Sequence, residues 1–348
     1  MAYTTIDDPS AHFQVKIFTG NATDDTAYTN DGNSDLQPDM LWVKNRDASV
    51  DHVVFDSTRG VTKNVRPNTT AVESTNSNYL KSIQSDGFTM GTSNRVNGNT
   101  NKMVAWQWKA NGGTTSSNTD GDITSTVQAN TTAGFSIVSY TGNGTDEDTV
   151  GHGLSGNWDV AILKNRGETD YWTVSQTGTN QVILLHDTTT QSNHSTAYMT
   201  RASGVMGLVG AGDLGMVNGS SETYIAYVFK NIQGYSRFGS YTGNGNADGP
   251  FVYTGFKPAW LMIKRTDNAE GWHILDNKRD TLNEMNTRLQ AEAAGTDDTS
   301  EDGLDMLSNG FKIRTSWAGH NASSGAYFFM AFAEKPFVSS EGTPTTAR

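Results

Sequence analysis

The chain has 348 residues, no cysteine and a formal net charge of −12, with 35% hydrophobic residues, 18% charged residues and 36 glycines. The lack of cysteine excludes disulfides, thiolate metal sites and cysteine nucleophiles. The acidic balance argues against nucleic acid or an anionic membrane as partner, since both are recognised through a basic face. Abundant Gly, Ser, Thr and Asn predict a turn-rich β protein, and the length allows two or three domains. No apolar run approaches the ~20 residues of a membrane helix. The start, MAYTTIDDPSAHF, has neither the basic beginning nor the apolar core of a signal peptide, and the lack of cysteine fits assembly in a reducing cytoplasm.

Residues 1–11 are polar and predict an extended arm that docks on a neighbour. A first repeat, 12–109, opens with Phe13-Gln14-Val15-Lys16-Ile17, an alternation that marks a strand with one apolar face, and turns at Thr19-Gly20-Asn21. Met40 to Lys44 is apolar on both faces up to its lysine, the pattern of a strand covered from two sides. Met103 to Trp108 has the same character. Residues 110–133 form a polar linker in which Ile123 to Val127 can add a strand.

The second repeat, 134–232, restates the first with GFSIVSYTGNG at Gly134 to Gly144, the apolar run Val160 to Lys164 and the closing strand Tyr224 to Phe229. The third, 236–336, does so with Tyr241-Thr242-Gly243-Asn244-Gly245, Trp260 to Lys264 and Tyr327 to Phe332; residues 337–348 are a tail. From the turn glycine to a late asparagine (Gly20 to Asn97, Gly142 to Asn218, Gly243 to Asn321) the copies span 77, 76 and 78 positions. Spacing this steady marks tandem homologous units.

Asn97-Gly98 and Asn218-Gly219 favour the positive φ of tight hairpins, so the last two strands of each repeat are expected to form one, with Asn321-Ala322 a weaker version. Many short strands without a βαβ rhythm predict an all-β fold of three tandem antiparallel β-sandwich, jelly-roll-like modules. Leu282, Met285 and Leu289, behind Asp280 as cap, suggest a short helix within Thr281 to Ala294. The doubly apolar strands ending at Lys44, Lys164 and Lys264 need more cover than one small module supplies. They predict a symmetric homo-oligomer, preferentially a trimer.

No motif reads as catalytic. Gly210 to Gly215 matches G-x-G-x-x-G, but turn and strand follow it instead of a helix, and Lys230 stands where an acid is needed. His12, His52, His152, His186, His194, His273 and His320 share no repeat position and no helical metal spacing, and read as satisfied or solvated side chains. Acidic loops at Asp24-Asp25, Asp146-Glu147-Asp148 and Asp297 to Asp302 read as solvated, with structural Ca²⁺ as the alternative. Asp56 with Arg59, and Asp276 with Arg279, occupy matching places where repeat two has Gln176 and Thr179, which suggests a structural ion pair. Trp172, Trp272 and His52 also match, and read as core.

The chain resembles repeat-module virion proteins of marine tailed phages, described as tail-fibre or structural proteins. The resemblance rests on TTIDDPSAHFQ from Thr4, FDSTRGVTK from Phe55, VAWQWKA from Val104, NTDGDITSTVQANTTAGFSIVSYTGNG from Asn118, FGSYTGNGNADGPFVYTGFKPA from Phe238, Met306 to Arg314, and YFFMAFAEKPFV from Tyr327. It implies a virion component, made in the host cytoplasm, that contacts other virion proteins, here through residues 1–11, and the host surface. No catalytic residues, cofactor or metal come with it. Three functions compete: an appendage binding a host glycan, a head-decorating protein without its own ligand, and a polysaccharide-degrading appendage enzyme. The last requires a carboxylate pair, and no such pair recurs among the repeats. For the first, Trp158 and Trp317 are the candidate ligand contacts, isolated aromatics among Gly, Ser and Asn near strand ends, since rigid aromatics anchor binding at little entropic cost.

Overall fold

A computed structural model describes residues 2–176, 181–191, 198–210, 212–301 and 303–345. The protein is all-β, built from antiparallel sheets, with three one-turn α-helices of four residues each and the 3-10 turn Pro9–Ala11 among the described residues. One strand order recurs. In repeat one, Phe13–Thr19 pairs with Lys102–Trp108, which pairs with Met40–Asn45, then Val53–Asp56. In repeat two, the order is Phe135–Thr141, Thr223–Phe229, Val160–Asn165, Trp172–Gln176. In repeat three it is Ser236–Thr242, Ala326–Pro336, Phe256–Arg265, Trp272–Asp276. Each set is accompanied by a three-stranded outer sheet centred on Gly87–Met90, Val205–Val209 or Gly310–Ile313.

The doubly apolar runs explain the packing. In Met40–Asn45, Leu41 and Val43 face a core beneath the outer sheet, while Met40 and Trp42 face away from it. The same division splits Ala161 and Leu163 from Val160 and Ile162, and Leu261 and Ile263 from Trp260 and Met262. All the residues facing away meet in one central core shared by the three repeats. Phe13, Trp108, Phe229, Trp260 and Phe332 form an aromatic cluster there, with Trp108 and Trp260 edge to face, ring centroids 5.7 Å apart at 88°, and Phe13 stacked on Phe332. The second face of each run is therefore covered from within the same chain, which removes the sequence-based reason for expecting a homotrimer.

Three expectations change. The asparagine–glycine pairs do not turn hairpins. Asn97, Asn218 and Asn321 end the one-turn helices, Gly98 and Gly219 have φ −58° and −60°, and the strands on either side belong to different sheets. The stretch Thr281 to Ala294 contains only the short strand Leu289–Gln290. Met285 and Leu289 are buried and Leu282 is 76% exposed. Asp280 accepts the amides of Asn286 and Thr287 and so stabilises a turn. The arm packs along its own chain instead of standing free: Thr4 Oγ1 donates to Gln233 O at 2.8 Å, Tyr3 OH to Gly255 O at 2.8 Å, and Asp7 accepts from Ser340. The linker does supply strands, Ser116–Asn118 and Ser125–Asn130, which extend the sheet of repeat two.

Candidate functional site

Two constellations repeat. In the first, the late asparagine is a fully buried hub. Asn97 Nδ2 donates to the Thr23 and Gly91 carbonyls at 3.0 and 2.9 Å, and its Oδ1 accepts the amide of Asn21 at 2.9 Å. Asn218 binds Thr145 O and the Asn143 amide, and Asn321 binds Asn246 O, Thr315 O and the Asn244 amide. The turn glycine lies so close across this hub that a Cβ on Gly20, Gly142 or Gly243 would overlap the carbonyl oxygen of Gly98, Gly219 or Ala322. These residues lock the end of each repeat through hydrogen bonds within the chain.

The second constellation joins the repeats. Asp56 accepts from Arg59 Nε at 2.6 Å and from Tyr227 OH of repeat two at 2.8 Å. Arg59 also binds Glu73 at 3.0 Å, and Glu73 binds Arg166 of repeat two at 2.8 Å. Between repeats three and one the arrangement returns: Asp276 accepts from Arg279 at 2.6 Å and from Trp106 Nε1 at 3.0 Å, and Asp297 joins Arg279 at 3.1 Å to Arg46 at 2.7 Å. Between repeats two and three, Gln176 replaces the aspartate, and Met330 stands in the register place of Trp106 and Tyr227. Donor and acceptor are absent together. Thr179 lies outside the described residues. The loss of Asp-x-x-Arg was legible in the sequence, and the matching exchange of Trp106 and Tyr227 for Met330 was the signal that could have identified its partner.

The matched Trp172, Trp272 and His52 complete the seams. Trp172 Nε1 donates to Arg66 O at 2.9 Å, Trp272 Nε1 to Leu184 O at 2.8 Å, and His52 Nε2 lies 3.1 Å from Gln290 O. His52 Nδ1 accepts from Trp42 at 2.9 Å, so the ring is neutral with its proton on Nε2. Next to these seams, Lys44, Lys164 and Lys264 are fully buried, with Nζ held by backbone carbonyls: Asn45 O at 2.6 Å, Asn165 O at 2.6 Å and Glu270 O at 2.7 Å. Burial pushes each ammonium down to about 8. Glu292, which accepts the Trp272 amide, is pushed up to about 7 by burial.

The candidate contacts Trp158 and Trp317 are not brought together. Trp158 is 1% exposed in the core of repeat two, so it cannot belong to a surface patch. Trp317 is half-buried in repeat three with Arg288 stacked 4.4 Å from its ring centre, and it covers His273 and His320, whose rings are 5.0 Å apart. Both histidines are buried, and none of their ring nitrogens has a protein partner. Burial lowers His320 to about 3 and His273 well below its usual value. Their counterparts are Val53 and Val96 in repeat one, and Thr173 and Val217 in repeat two. The expectation of satisfied histidines holds for His52 and fails for this pair; His194 lies outside the described residues.

The acidic loops are engaged with protein partners: Asp24 with Lys81, Asp148 with Asn143, Asp146 with the Gly210 amide, and Asp298 with Arg288. No group of three metal-ligating side chains converges among the described residues; Asp302 lies outside them. The glycine-rich run from Gly210 leads into the four-residue helix Gly215–Asn218, too short to seat a dinucleotide, and its Ala211 is outside the described residues. Among the described residues no helix is long and apolar enough to cross a membrane.

Residues 8–336 match the family described as a domain of unknown function (DUF7483), and the chain belongs to that family. No curated protein and no solved structure matches it.

Proposed function

We propose that the chain is three tandem jelly-roll-like β-sandwich modules, divided as the sequence repeats divide, and that it serves as a structural component of a phage virion, in a tail fibre or another appendage that contacts the host surface. The observation that carries this reading is the closed circuit of contacts. Repeat one meets two through Asp56 and Tyr227, two meets three through Trp272 and Leu184, and three meets one through Asp276 and Trp106. A threefold arrangement around one aromatic core is a stiff support. It turns the three outer sheets and their loops outward, where binding residues usually lie. The resemblance of TTIDDPSAHFQ and the YTGNG turns to phage repeat modules supports the virion setting. Trp158 is removed from the glycan-binding reading, and Trp317 contributes only its uncovered edge.

Antibodies raised against the folded chain test the assignment on intact particles. Labelled particles whose adsorption slows at saturating antibody agree with the appendage role. Labelled particles that adsorb at the unchanged rate favour head decoration, and particles lacking the chain overturn the proposal.

A further inference from the structure

Repeats one and two cover the free edge of their first strand in different ways. In repeat two, Phe135–Thr141 is paired along its free edge by Ser125–Asn130. Ile123 bridges Val150 of the outer sheet, and Ile123 and Val127 are buried with Val138 between the sheets. The segment 116–130 is thus a plug. In repeat one, the loop around Gly32 folds onto the edge strand, its amide donating to Gln14 Oε1 at 2.9 Å while Gln14 Nε2 donates to Ser34 O at 2.8 Å.

Repeat three has neither device. Its strand Ser236–Thr242 follows repeat two after a short connection and pairs on one side with Ala326–Pro336; on the other side Ile232 bridges Ser236 and Asn231 Oδ1 accepts the Phe238 amide at 2.7 Å, so that, among the described residues, Gly239–Thr242 is the stretch of this edge that no strand or bridge covers. Gly239 stands in the register place of Val138. Beside it a groove of about 470 Å³ opens between Ser236–Thr242 and Phe251–Tyr253, floored by Phe329. Phe251 and Tyr253 on its rim are 46% and 54% exposed. Arg237, also exposed at the rim, has no ion pair among the described residues.

We propose that this groove is a strand-acceptor site. It takes an extended segment of another polypeptide, antiparallel to the uncovered stretch Gly239–Thr242 in the sense in which 125–130 runs along 135–141, with a branched apolar side chain opposite Gly239 and a carboxylate within reach of Arg237. The uncovered stretch of edge beyond Phe238 supplies main-chain hydrogen bonds for affinity, and alternate side chains choose the partner. The two exposed aromatics give the incoming strand an apolar wall. This inference holds wherever the protein resides and does not depend on the virion reading.

The probe is a labelled peptide with the sequence of residues 116–131 carrying Ala129→Glu, because Ala129 lies opposite Ser136, the register counterpart of Arg237. Added to the full chain, it is expected to bind saturably and to slow amide exchange in Ser236–Thr242 and Phe251–Tyr253, where a scrambled peptide does neither. Arg237→Glu should weaken binding about two- to five-fold, the scale of an exposed ion pair. Gly239→Val, checked for folding by circular dichroism, should abolish it by filling the groove. Absence of saturable binding overturns the site, as does protection confined to Phe135–Thr141, which would mean exchange with the chain's own plug. Binding unaffected by both variants overturns it as well.

Discussion

Replacing Asp56 with Ala strikes the seam between repeats one and two. The carboxylate is fully buried and accepts from Arg59 N at 2.8 Å, Arg59 Nε at 2.6 Å and Tyr227 OH at 2.8 Å. Its removal strands a guanidinium whose side chain is 1% exposed, with Glu73 at 3.0 Å as the remaining charge partner. Breaking a buried pair from one side costs about 3–5 kcal/mol, and Glu73 holds the effect toward the lower end. At a urea slope of about 3 kcal/mol/M, the first unfolding transition should fall by about 1 M. Gln176→Ala is the internal control. It occupies the same place in repeat two, is half-buried and faces a seam without the aspartate–donor pair, so its cost should stay within about 1 kcal/mol. Urea titration followed by tryptophan fluorescence compares the two. Equal midpoints for Asp56→Ala and Gln176→Ala would refute the view that this seam depends on a buried charge.

Two further outcomes follow from the repeated constellations. Gly142→Ala should destabilise repeat two by at least about 2 kcal/mol, because its Cβ overlaps the Gly219 carbonyl, whereas Gly295→Ala, with open space around it, should be near neutral; thermal melts of both proteins check this. Stability should rise between about pH 8 and about pH 10. In that window the lysines of the unfolded chain still hold protons that Lys44, Lys164 and Lys264, pushed down to about 8 from 10.5, have released, so raising the pH favours the folded state. Lys164→Met should flatten that rise in urea midpoints measured across the window, and an unchanged slope would count against a titrating buried ammonium.

The repeated landmarks were legible because each marks a position with one physical solution. The turn glycine admits no Cβ, the asparagine must both donate and accept, and the lysine ends a strand apolar on both faces. What those landmarks do locally was harder to read. Asn-Gly signals a tight turn only when the asparagine is free to face solvent, and Asn97 is fully buried. Alternation showed that Met40 to Lys44 has two covered faces, but no local pattern reveals whether the second cover is another chain or another part of the same one. Trp158 looked isolated among glycines and is buried because Leu154 and residues of distant strands fold over it. Leu282, Met285 and Leu289 have helical spacing, yet only two of the three face a core.

The circuit of seams has a consequence for how the protein behaves on dilution. Three separate modules meeting through the same contacts would obey mass action, and their ring would open as concentration fell. Here residues 110–133 and the short connection before Ser236 tie the partners covalently, so each seam forms at the effective concentration set by its tether, of millimolar order for short links. Closure therefore becomes a property of a single molecule, independent of how few copies a cell makes. Because the three repeats differ in sequence and no symmetry ties them, one seam can lose its aspartate and its donor together while the other two keep theirs.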